Sequence, residues 1–245
     1  MHYEIAGSGF PLVLLHGIGS NARSWHRQIA AFAAGFRVIA WDAPGFGKSP
    51  DLPPQEPSIR AFALSLRELL DSAGVKSAVV LGHSLGGIIA QQFYGDYPEY
   101  VAALILADTT QGGSANLSER LRMIRTMTPR ALAEQRGPKL LSPQAAPELV
   151  QETIDIMSQV RRPGYEFAAI AMANSDLKGI LDHIRIPLLM IWGAHDTITP
   201  RWERWPDGAG LEIIPDAGHL CYAEQPELFN QAVMRFLQGM PRSNL

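Results

Sequence analysis

Short apolar runs alternate with helical patterns along most of this 245-residue chain, and no other feature restricts its fold as strongly. Six runs have the length and composition of strands: Leu12–His16, Val38–Asp42, Ala78–Gly82, Ala103–Asp108, Leu188–Gly193 and Leu211–Pro215. Nearly all are continuously apolar, which is typical of strands buried on both faces. The spacing of apolar residues predicts intervening helices after Ser58, from Leu85 to Tyr97 and from about Pro226. We therefore predict an α/β fold: a mostly parallel, twisted sheet with helices on both faces.

The region from about Gln111 to Lys178 breaks this alternation, because it contains helical patterns and no strand. One helical face is predicted to carry Leu117, Leu121, Ile124 and Thr128. The last helix of the chain is predicted to bury Leu228, Phe229, Val233, Phe236 and Leu237. We predict a core formed by residues 1–110 and 179–245, with residues 111–178 inserted as a helical cap.

Composition and charge exclude several classes of protein. Apolar residues make up 47% of the chain and charged residues 18%, so it can bury a large core. The net charge of −3 does not suit a nucleic-acid partner. No apolar run approaches the ~20 residues of a membrane span, and no signal peptide is visible. The single cysteine, Cys221, excludes an internal disulfide. We expect a cytoplasmic protein with neither a nucleic-acid nor a membrane partner.

The strongest chemical signal is the segment Gly82-His83-Ser84-Leu85-Gly86-Gly87, which joins a predicted strand to a predicted helix. A G-x-S-x-G sequence in this context is typical of a nucleophile elbow, a sharp turn that exposes a serine at the end of the sheet. The small residues on either side give the turn the room it needs. Ser84 is therefore the candidate nucleophile.

A serine hydroxyl needs a base, and the base needs an orienting acid. Asp196 and His219 each follow one of the last two predicted strands, and the order serine, acid, histidine is the one expected for an elbow-type site. Asp108, at the end of another strand, is an alternative acid. Cys221 lies close to His219 in the chain but is expected to be a small buried residue.

The segment His16-Gly17-Ile18-Gly19 follows the first predicted strand and can supply a donor to an oxyanion. We predict that the backbone amides of Ile18 and Leu85 form an oxyanion hole, each typically worth about 10²–10³ in rate. His16 is expected to fix this loop.

The same loop supports a rival interpretation. Residues Gly17–Ala22 fit the pattern G-x-G-x-x-A, and Asp42 ends the next strand, as in dinucleotide-binding folds. That interpretation leaves Ser84, Asp196 and His219 without a role. No motif with the spacing of metal ligands is present.

Together these segments resemble the α/β-hydrolase superfamily over nearly the whole chain. The matching motifs are His16-Gly17, Asp42-x-x-Gly45-x-Gly47-x-Ser49, Gly82–Gly87, Gly193-x-x-Asp196-x-x-Thr199-Pro200 and Gly218-His219. Within the superfamily, Asp108-Thr109-Thr110 and the stretch from Gly164 to Pro187 are most similar to the 3-oxoadipate enol-lactonase-like branch. The span from Asp196 to His219 is shorter than is usual in the family, and its helix, Pro200–Trp205, is expected to be about one turn.

The resemblance implies a serine hydrolase that cleaves a carboxylic ester or lactone without a cofactor. Carbon–carbon bond hydrolases usually have Asn before the serine and perhydrolases usually have Phe-Pro after His-Gly, whereas this chain has His83 and Ile18-Gly19. Both reactions remain alternatives on the same residues, as does slow turnover in a ligand-sensing protein. The oligomeric state is left open. Candidate substrate contacts are His16, Trp25, His83, Arg120, Arg125 and Met127, and the arginines would suit a substrate carboxylate.

Overall fold

A computed structural model describes residues 1–113, 116–182 and 184–240. It contains a seven-stranded sheet with the order β1-β3-β2-β4-β5-β6-β7. The strands are β1 Tyr3–Ala6, β2 Phe10–Leu15, β3 Phe36–Trp41, β4 Ala78–His83, β5 Val101–Ala107, β6 Leu188–Gly193 and β7 Gly210–Ile214. β1 pairs with β3 in the antiparallel sense, and all other pairs are parallel. The predicted fold class is therefore confirmed.

Nine α-helices are present in the described part of the chain. They are α1 His26–Phe32, α2 Ile59–Ser72, α3 Leu85–Asp96, α4 Leu117–Thr126, α5 Pro129–Arg136, α6 Pro147–Met157, α7 Arg162–Ala173, α8 Cys221–Glu224 and α9 Pro226–Gln238. Ser58 caps α2 as predicted, since its side chain accepts a hydrogen bond from the amide of Ala61 at 3.3 Å.

The two faces of the sheet carry separate hydrophobic cores. On one face, Val13 of β2 packs in the same cluster as Phe62 of α2 and Phe93 of α3. On the other face, Leu12 of β2 belongs to the cluster that contains Phe229 of α9. Burial of each such side chain contributes about 1.5–3 kcal/mol. This two-sided burial explains why the strands are continuously apolar.

Three sequence-based expectations are corrected at this level. β1 was not predicted, because its sequence Tyr-Glu-Ile-Ala is short and half polar, as suits an edge strand. Leu228 is 39% exposed. The buried face of α9 is formed instead by Phe229, Val233 and Leu237, which follow one another at intervals of four residues. Thr128 lies outside α4 and caps α5, accepting from the amide of Ala131 at 3.2 Å.

A fourth correction concerns the short helix expected at Pro200–Trp205. The described segment after Thr199 is irregular up to β7. Pro206 disfavours a helical conformation at Trp205, the residue before it. The indole Nε1 of Trp202 instead donates a hydrogen bond to the carbonyl of Thr109 at 2.8 Å, which ties the segment to the end of β5.

The helices α4 to α7 follow one another between β5 and β6. The two ends of this insert are joined, since Gly113 donates to the carbonyl of Ser175 and Leu177 donates to the carbonyl of Gln111, each at 2.8 Å. Within its described residues, 111–113 and 116–178, the insert contains helices and a single isolated bridge between Gly112 and Asp176. These bonds fit the predicted boundaries of a cap, although the division into core and cap stays a prediction.

Candidate active site

Ser84 occupies a strained turn between β4 and α3. Its φ of 53° and ψ of −117° lie in a region that residues with a side chain rarely adopt. Two hydrogen bonds fix this conformation: the amide of Ser84 donates to the carbonyl of Ala107 at 3.0 Å, and the Thr109 hydroxyl donates to the carbonyl of Ser84 at 2.6 Å. The surrounding structure therefore compensates for the strain and presents the serine at the end of the sheet.

Glycines allow the chain to pass close to itself around this turn. A Cβ atom on Gly82 would lie 2.7 Å from the Cα of Gly87. A Cβ atom on Gly86 would lie 2.9 Å from the carbonyl oxygen of His16. The start of α3 therefore packs directly against the end of β2, and a larger residue at either position would push them apart.

Asp196 follows β6 and holds an ordered carboxylate. One oxygen accepts hydrogen bonds from the amides of Ile198 at 2.7 Å and Thr199 at 3.1 Å, and the other lies 3.0 Å from Nδ1 of His219. Burial opposes the charge, but these hydrogen bonds outweigh it and hold the pKa of Asp196 below its usual value. Asp196 is therefore ionised at neutral pH.

His219 follows β7, and its side chain is almost fully buried. A carboxylate only accepts hydrogen bonds, so the contact with Asp196 assigns the ring proton to Nδ1. Nε2 then carries the lone pair, and in the described part of the chain it has no hydrogen-bond partner. His219 and Ser84 line the same cavity. The histidine is thus available to accept a proton from a group bound there.

The loop after β2 lies against the serine turn. His16 Nε2 accepts from the amide of Ala43 at 3.0 Å, so Nδ1 carries the proton that it donates to the carbonyl of Gly17 at 2.9 Å. Burial lowers the pKa of His16 and keeps it neutral. A Cβ atom on Gly17 would lie 3.2 Å from that of Ser84. The loop that carries Ile18 is therefore fixed next to the elbow.

The two predicted oxyanion donors belong to different elements, Ile18 to the loop after β2 and Leu85 to α3. Ile18 lines the cavity with Ser84. Leu85 is the first residue of α3, and the first amides of a helix have no partner within it. The side chain of Leu85 is buried in the core, so only its backbone is suited to contact a substrate.

His83 precedes Ser84 in the chain, packs against His219 and is neutral. Its Nε2 donates to the carbonyl of His219 at 2.7 Å, and the two ring centroids are 4.8 Å apart. Burial and the nearby His219 lower the pKa of His83 to about 3. Since His83 also lines the cavity, its predicted contact with substrate fits its position.

Asp108 lies beside Asp196, and the pKa values of the two carboxyl groups are shifted in opposite directions. It is buried, and one carboxyl oxygen accepts the amide of Gly193 at 2.9 Å. Burial, with the adjacent charge of Asp196, raises the pKa of Asp108 well above its usual value. Because Asp196 contacts His219 and carries the charge, it fits the role of the orienting acid better than Asp108 does.

The cavity lies between the sheet and the insert. Of the other predicted substrate contacts, Arg120 lines it and four residues do not. Trp25 is buried against Tyr222 at a centroid distance of 4.3 Å, and Arg125 is exposed and paired with Glu166 at 3.2 Å. His16 and Met127 also lie outside it: His16 is held by the bonds described above, and Met127 packs against the core.

Sequence reasoning missed several residues of the cavity wall. They include Arg136, Leu140, Ile156 and Tyr165, all from the insert. Their helices show a periodic apolar face, but nothing in the sequence indicates how that face lies over the sheet. The clustering of arginines near Arg120 was one signal, but it did not distinguish exposed arginines from buried ones.

The residues of the rival dinucleotide interpretation are engaged elsewhere. Asp42 accepts hydrogen bonds from the amides of Ala22 and Lys48, both at 2.8 Å, and lies 2.7 Å from Nδ1 of His2. The glycine loop faces Ser84 and His83. This arrangement does not fit an acid and a loop that hold a ribose and a pyrophosphate.

Among residues 1–113, 116–182 and 184–240, no group of three or more His, Cys, Asp or Glu side chains could hold a metal ion. In the same ranges, no helix is both long enough and apolar enough to span a bilayer.

A mostly parallel sheet that presents a strained serine between a strand and a helix is the arrangement of the α/β-hydrolases. The chain belongs to the alpha/beta hydrolase family, whose model matches residues 12–232. The resemblance inferred from the sequence motifs is therefore confirmed.

Three relatives illustrate the range of hydrolases that are similar to this chain. A 2-hydroxy-6-oxononadienedioate/2-hydroxy-6-oxononatrienedioate hydrolase from Burkholderia vietnamiensis is 31% identical, over 97% of this chain and 91% of the relative. A thermophilic esterase from Thermogutta terrifontis, solved with malate bound, is 30% identical with a TM-score of 0.90, covering 97% and 92% of the two chains. The enol-lactonase from Burkholderia xenovorans is 25% identical with a TM-score of 0.90, covering 97% and 96%.

Proposed function

We propose that this hydrolase cleaves a small-molecule carboxylic ester or lactone through an acyl-enzyme on Ser84. One observation carries the proposal: Nδ1 of His219 lies 3.0 Å from the ionised Asp196, and the His219 ring lines the same cavity as the strained Ser84. This arrangement supplies a nucleophile, a base with a free lone pair, and an acid that stabilises the charged base.

In the first half of the reaction, the oxygen of Ser84 forms a bond to the substrate carbonyl carbon while His219 takes the serine proton. The negative charge that develops on the carbonyl oxygen is stabilised by the amides of Ile18 and Leu85. When the tetrahedral intermediate collapses, the ester C–O bond breaks and His219 gives its proton to the leaving oxygen. For a lactone the leaving oxygen stays attached to the acyl group.

In the second half, water attacks the acyl carbon and His219 removes a proton from it. Collapse of the second intermediate releases the carboxylic acid and returns the proton to Ser84. All of these steps use groups of the chain and water alone, so the proposed reaction needs no cofactor.

The named relatives support this reaction and one alternative. An esterase and an enol-lactonase share the fold over nearly the whole chain, which favours cleavage of a C–O bond. A relative named for the hydrolysis of oxo-dienedioates favours cleavage of a carbon–carbon bond as the second candidate. The neutral His83 stands at the position before the nucleophile, where carbon–carbon hydrolases usually have Asn, so we rank that reaction second.

The test is steady-state hydrolysis of 4-nitrophenyl butyrate by the full chain and two variants. Ser84→Ala should lower kcat by at least about 10³-fold, because the nucleophile is lost. Ser72→Ala, at an exposed position of α2, removes the same atom far from the cavity and should leave kcat unchanged. Sustained turnover in Ser84→Ala would reject the proposal. A single acylation of the wild type without further turnover would favour a ligand-sensing role instead.

A further inference from the structure

The wall of the cavity beside Ser84 carries more positive than negative charge. Three arginines line it, Arg27, Arg120 and Arg136, whereas Glu152 is the only acidic residue among its described lining residues. The guanidinium of Arg27 donates two hydrogen bonds to the carboxylate of Glu152, at 3.1 and 2.7 Å. The charge of Arg27 is therefore balanced within the wall, and the charges of Arg120 and Arg136 remain.

Neither Arg120 nor Arg136 forms an ion pair within the described residues. Their neighbours on the same two helices do: Arg122 of α4 pairs with Glu119 at 2.6 Å, and Arg130 of α5 pairs with Asp155 at 2.6 Å. Nη1 of Arg120 and Nε of Arg136 are buried and have no hydrogen-bond acceptor in the part of the chain described. An unpaired buried donor on a charged group destabilises a fold, so a carboxylate that paired with it would bind favourably.

The two guanidinium groups are close enough to influence each other. Burial lowers the pKa of Arg120, and the charge of Arg136 lowers it further. The group that lies beside Arg120 in the cavity wall is the Tyr165 phenol rather than an acid. An anion between the two arginines would relieve their repulsion while satisfying their donors.

Both arginines line the same cavity as the reacting serine. Ser84, Arg120 and Arg136 also line a second cleft. The arginines therefore stand where the two cavities meet. A substrate with its carbonyl at Ser84 passes these groups whichever cavity its other end occupies.

We propose that Arg120 and Arg136 bind a carboxylate of the substrate, so that this hydrolase selects esters or lactones that carry a carboxylate in addition to the reacting carbonyl. A planar guanidinium matches the two oxygens of a carboxylate and can donate to both. The proposal rests on the proposed function for its reacting group, but the binding of the anion can be measured separately.

The first experiment compares two substrates that differ only in charge: the mono-4-nitrophenyl ester of adipic acid and its methyl ester. For the wild-type protein, kcat/KM should be at least about 10-fold higher for the anionic substrate, as expected for a charge-assisted hydrogen bond. Equal values, or a preference for the neutral ester, would overturn the proposal while leaving the serine mechanism intact.

The second experiment assigns the preference to the two arginines. Arg120→Met and Arg136→Met should each lower kcat/KM for the anionic ester by about 10- to 100-fold and for the neutral ester by less than about threefold. Arg130→Met, on the exposed side of α5, removes the same charge as a matched control and should change neither value. Equal losses on both substrates would mean that the arginines only support the fold, and would reject the proposal.

Binding of adipate itself separates this inference from the catalytic one. In calorimetry, wild-type protein and Ser84→Ala should bind adipate with similar Kd, and each arginine variant should bind it at least about 10-fold more weakly. If neither ester is hydrolysed, the serine mechanism is rejected. Adipate binding then still tests whether the anion site exists. If adipate does not bind to the wild-type protein, the anion site is rejected.

Discussion

At the scale of single residues, the pKa values of two neighbouring carboxyl groups are shifted in opposite directions because their surroundings differ. Asp196 accepts hydrogen bonds from two amides and from His219, which stabilise its ionised form. Asp108 is fully enclosed next to that charge, so its pKa is raised. Both residues stand after strands, where the sequence identified them as possible acids. The choice between them depends on contacts with His219 and on burial, which only the folded chain provides.

Substitution of the acids separates their roles in the reaction. Asp196→Asn should lower kcat by about 10³–10⁴-fold, because an amide no longer stabilises the charged histidine and favours the wrong tautomer. Asp207→Asn, an exposed site, is the matched control and should leave kcat unchanged. If Asp196→Asn retained its activity and Asp108→Asn lost it, Asp108 would be the acid.

The raised pKa of Asp108 also predicts how stability changes with pH. Between the usual pKa of an aspartate and the raised value, the folded state keeps a proton that the unfolded state has lost, so stability falls as pH increases. Asp108→Asn lacks this titration. Its free energy of unfolding relative to wild type should rise by about 1.4 kcal/mol per pH unit in that window.

Denaturant titrations from pH 4 upward, with Asp207→Asn as the control, measure this difference directly. A difference between Asp108→Asn and wild type that did not change with pH would show that Asp108 is ionised in the folded protein.

At the scale of elements, the site depends on how closely a loop and a helix approach each other. The strand, the elbow and the loop after β2 could each be recognised from sequence, because glycine patterns and apolar runs are local signals. The contact between the loop and the elbow could not be recognised from sequence, since it depends on the parallel pairing of β2 with β4. His16 fixes the loop rather than touching a substrate, because β2 also pairs with β3 and both ring nitrogens are bonded, one of them to the amide of Ala43 after β3.

Gly17→Ala tests the contact between the loop and the elbow. The added Cβ would lie 2.9 Å from Nδ1 of His83 and 3.2 Å from Cβ of Ser84, so the loop must shift away from the serine. We expect kcat to fall by about 10²-fold or more, as for the loss of one oxyanion donor. Gly35→Ala has no neighbour within 4 Å of the new atom and is the matched control. Unchanged kcat in Gly17→Ala would exclude this loop from the oxyanion site.

At the scale of the whole molecule, the insert is anchored to the sheet at several separate points. Its ends are joined near Gly112 and Asp176, Arg27 pairs with Glu152, and Arg161 reaches the loop after β3. The sequence predicted that an insert exists, because strands are missing from one region of an alternating chain. It did not predict how the insert is oriented, since the ion pairs that orient it join residues more than 100 positions apart.

Arg161→Met tests one of these anchors. Arg161 donates to the carbonyls of Gly47 at 2.8 Å and Ser49 at 2.6 Å, and pairs with Asp51 at 3.0 Å. Its loss should lower the free energy of unfolding by about 1–2 kcal/mol, because two partly buried carbonyls lose a charged donor. Arg235→Met breaks an exposed pair with Glu212 and should cost less than about 1 kcal/mol. Equal losses would mean that Arg161 is an ordinary surface residue.

The central claim is that Ser84 is an activated nucleophile, and covalent labelling tests it most directly. The folded protein would be incubated with a fluorophosphonate probe and digested, and the modified peptide identified by mass spectrometry. We predict one adduct, at Ser84, that is abolished in Ser84→Ala and strongly slowed in His219→Gln. A folded protein that is not labelled, or is labelled at another residue, would contradict the account.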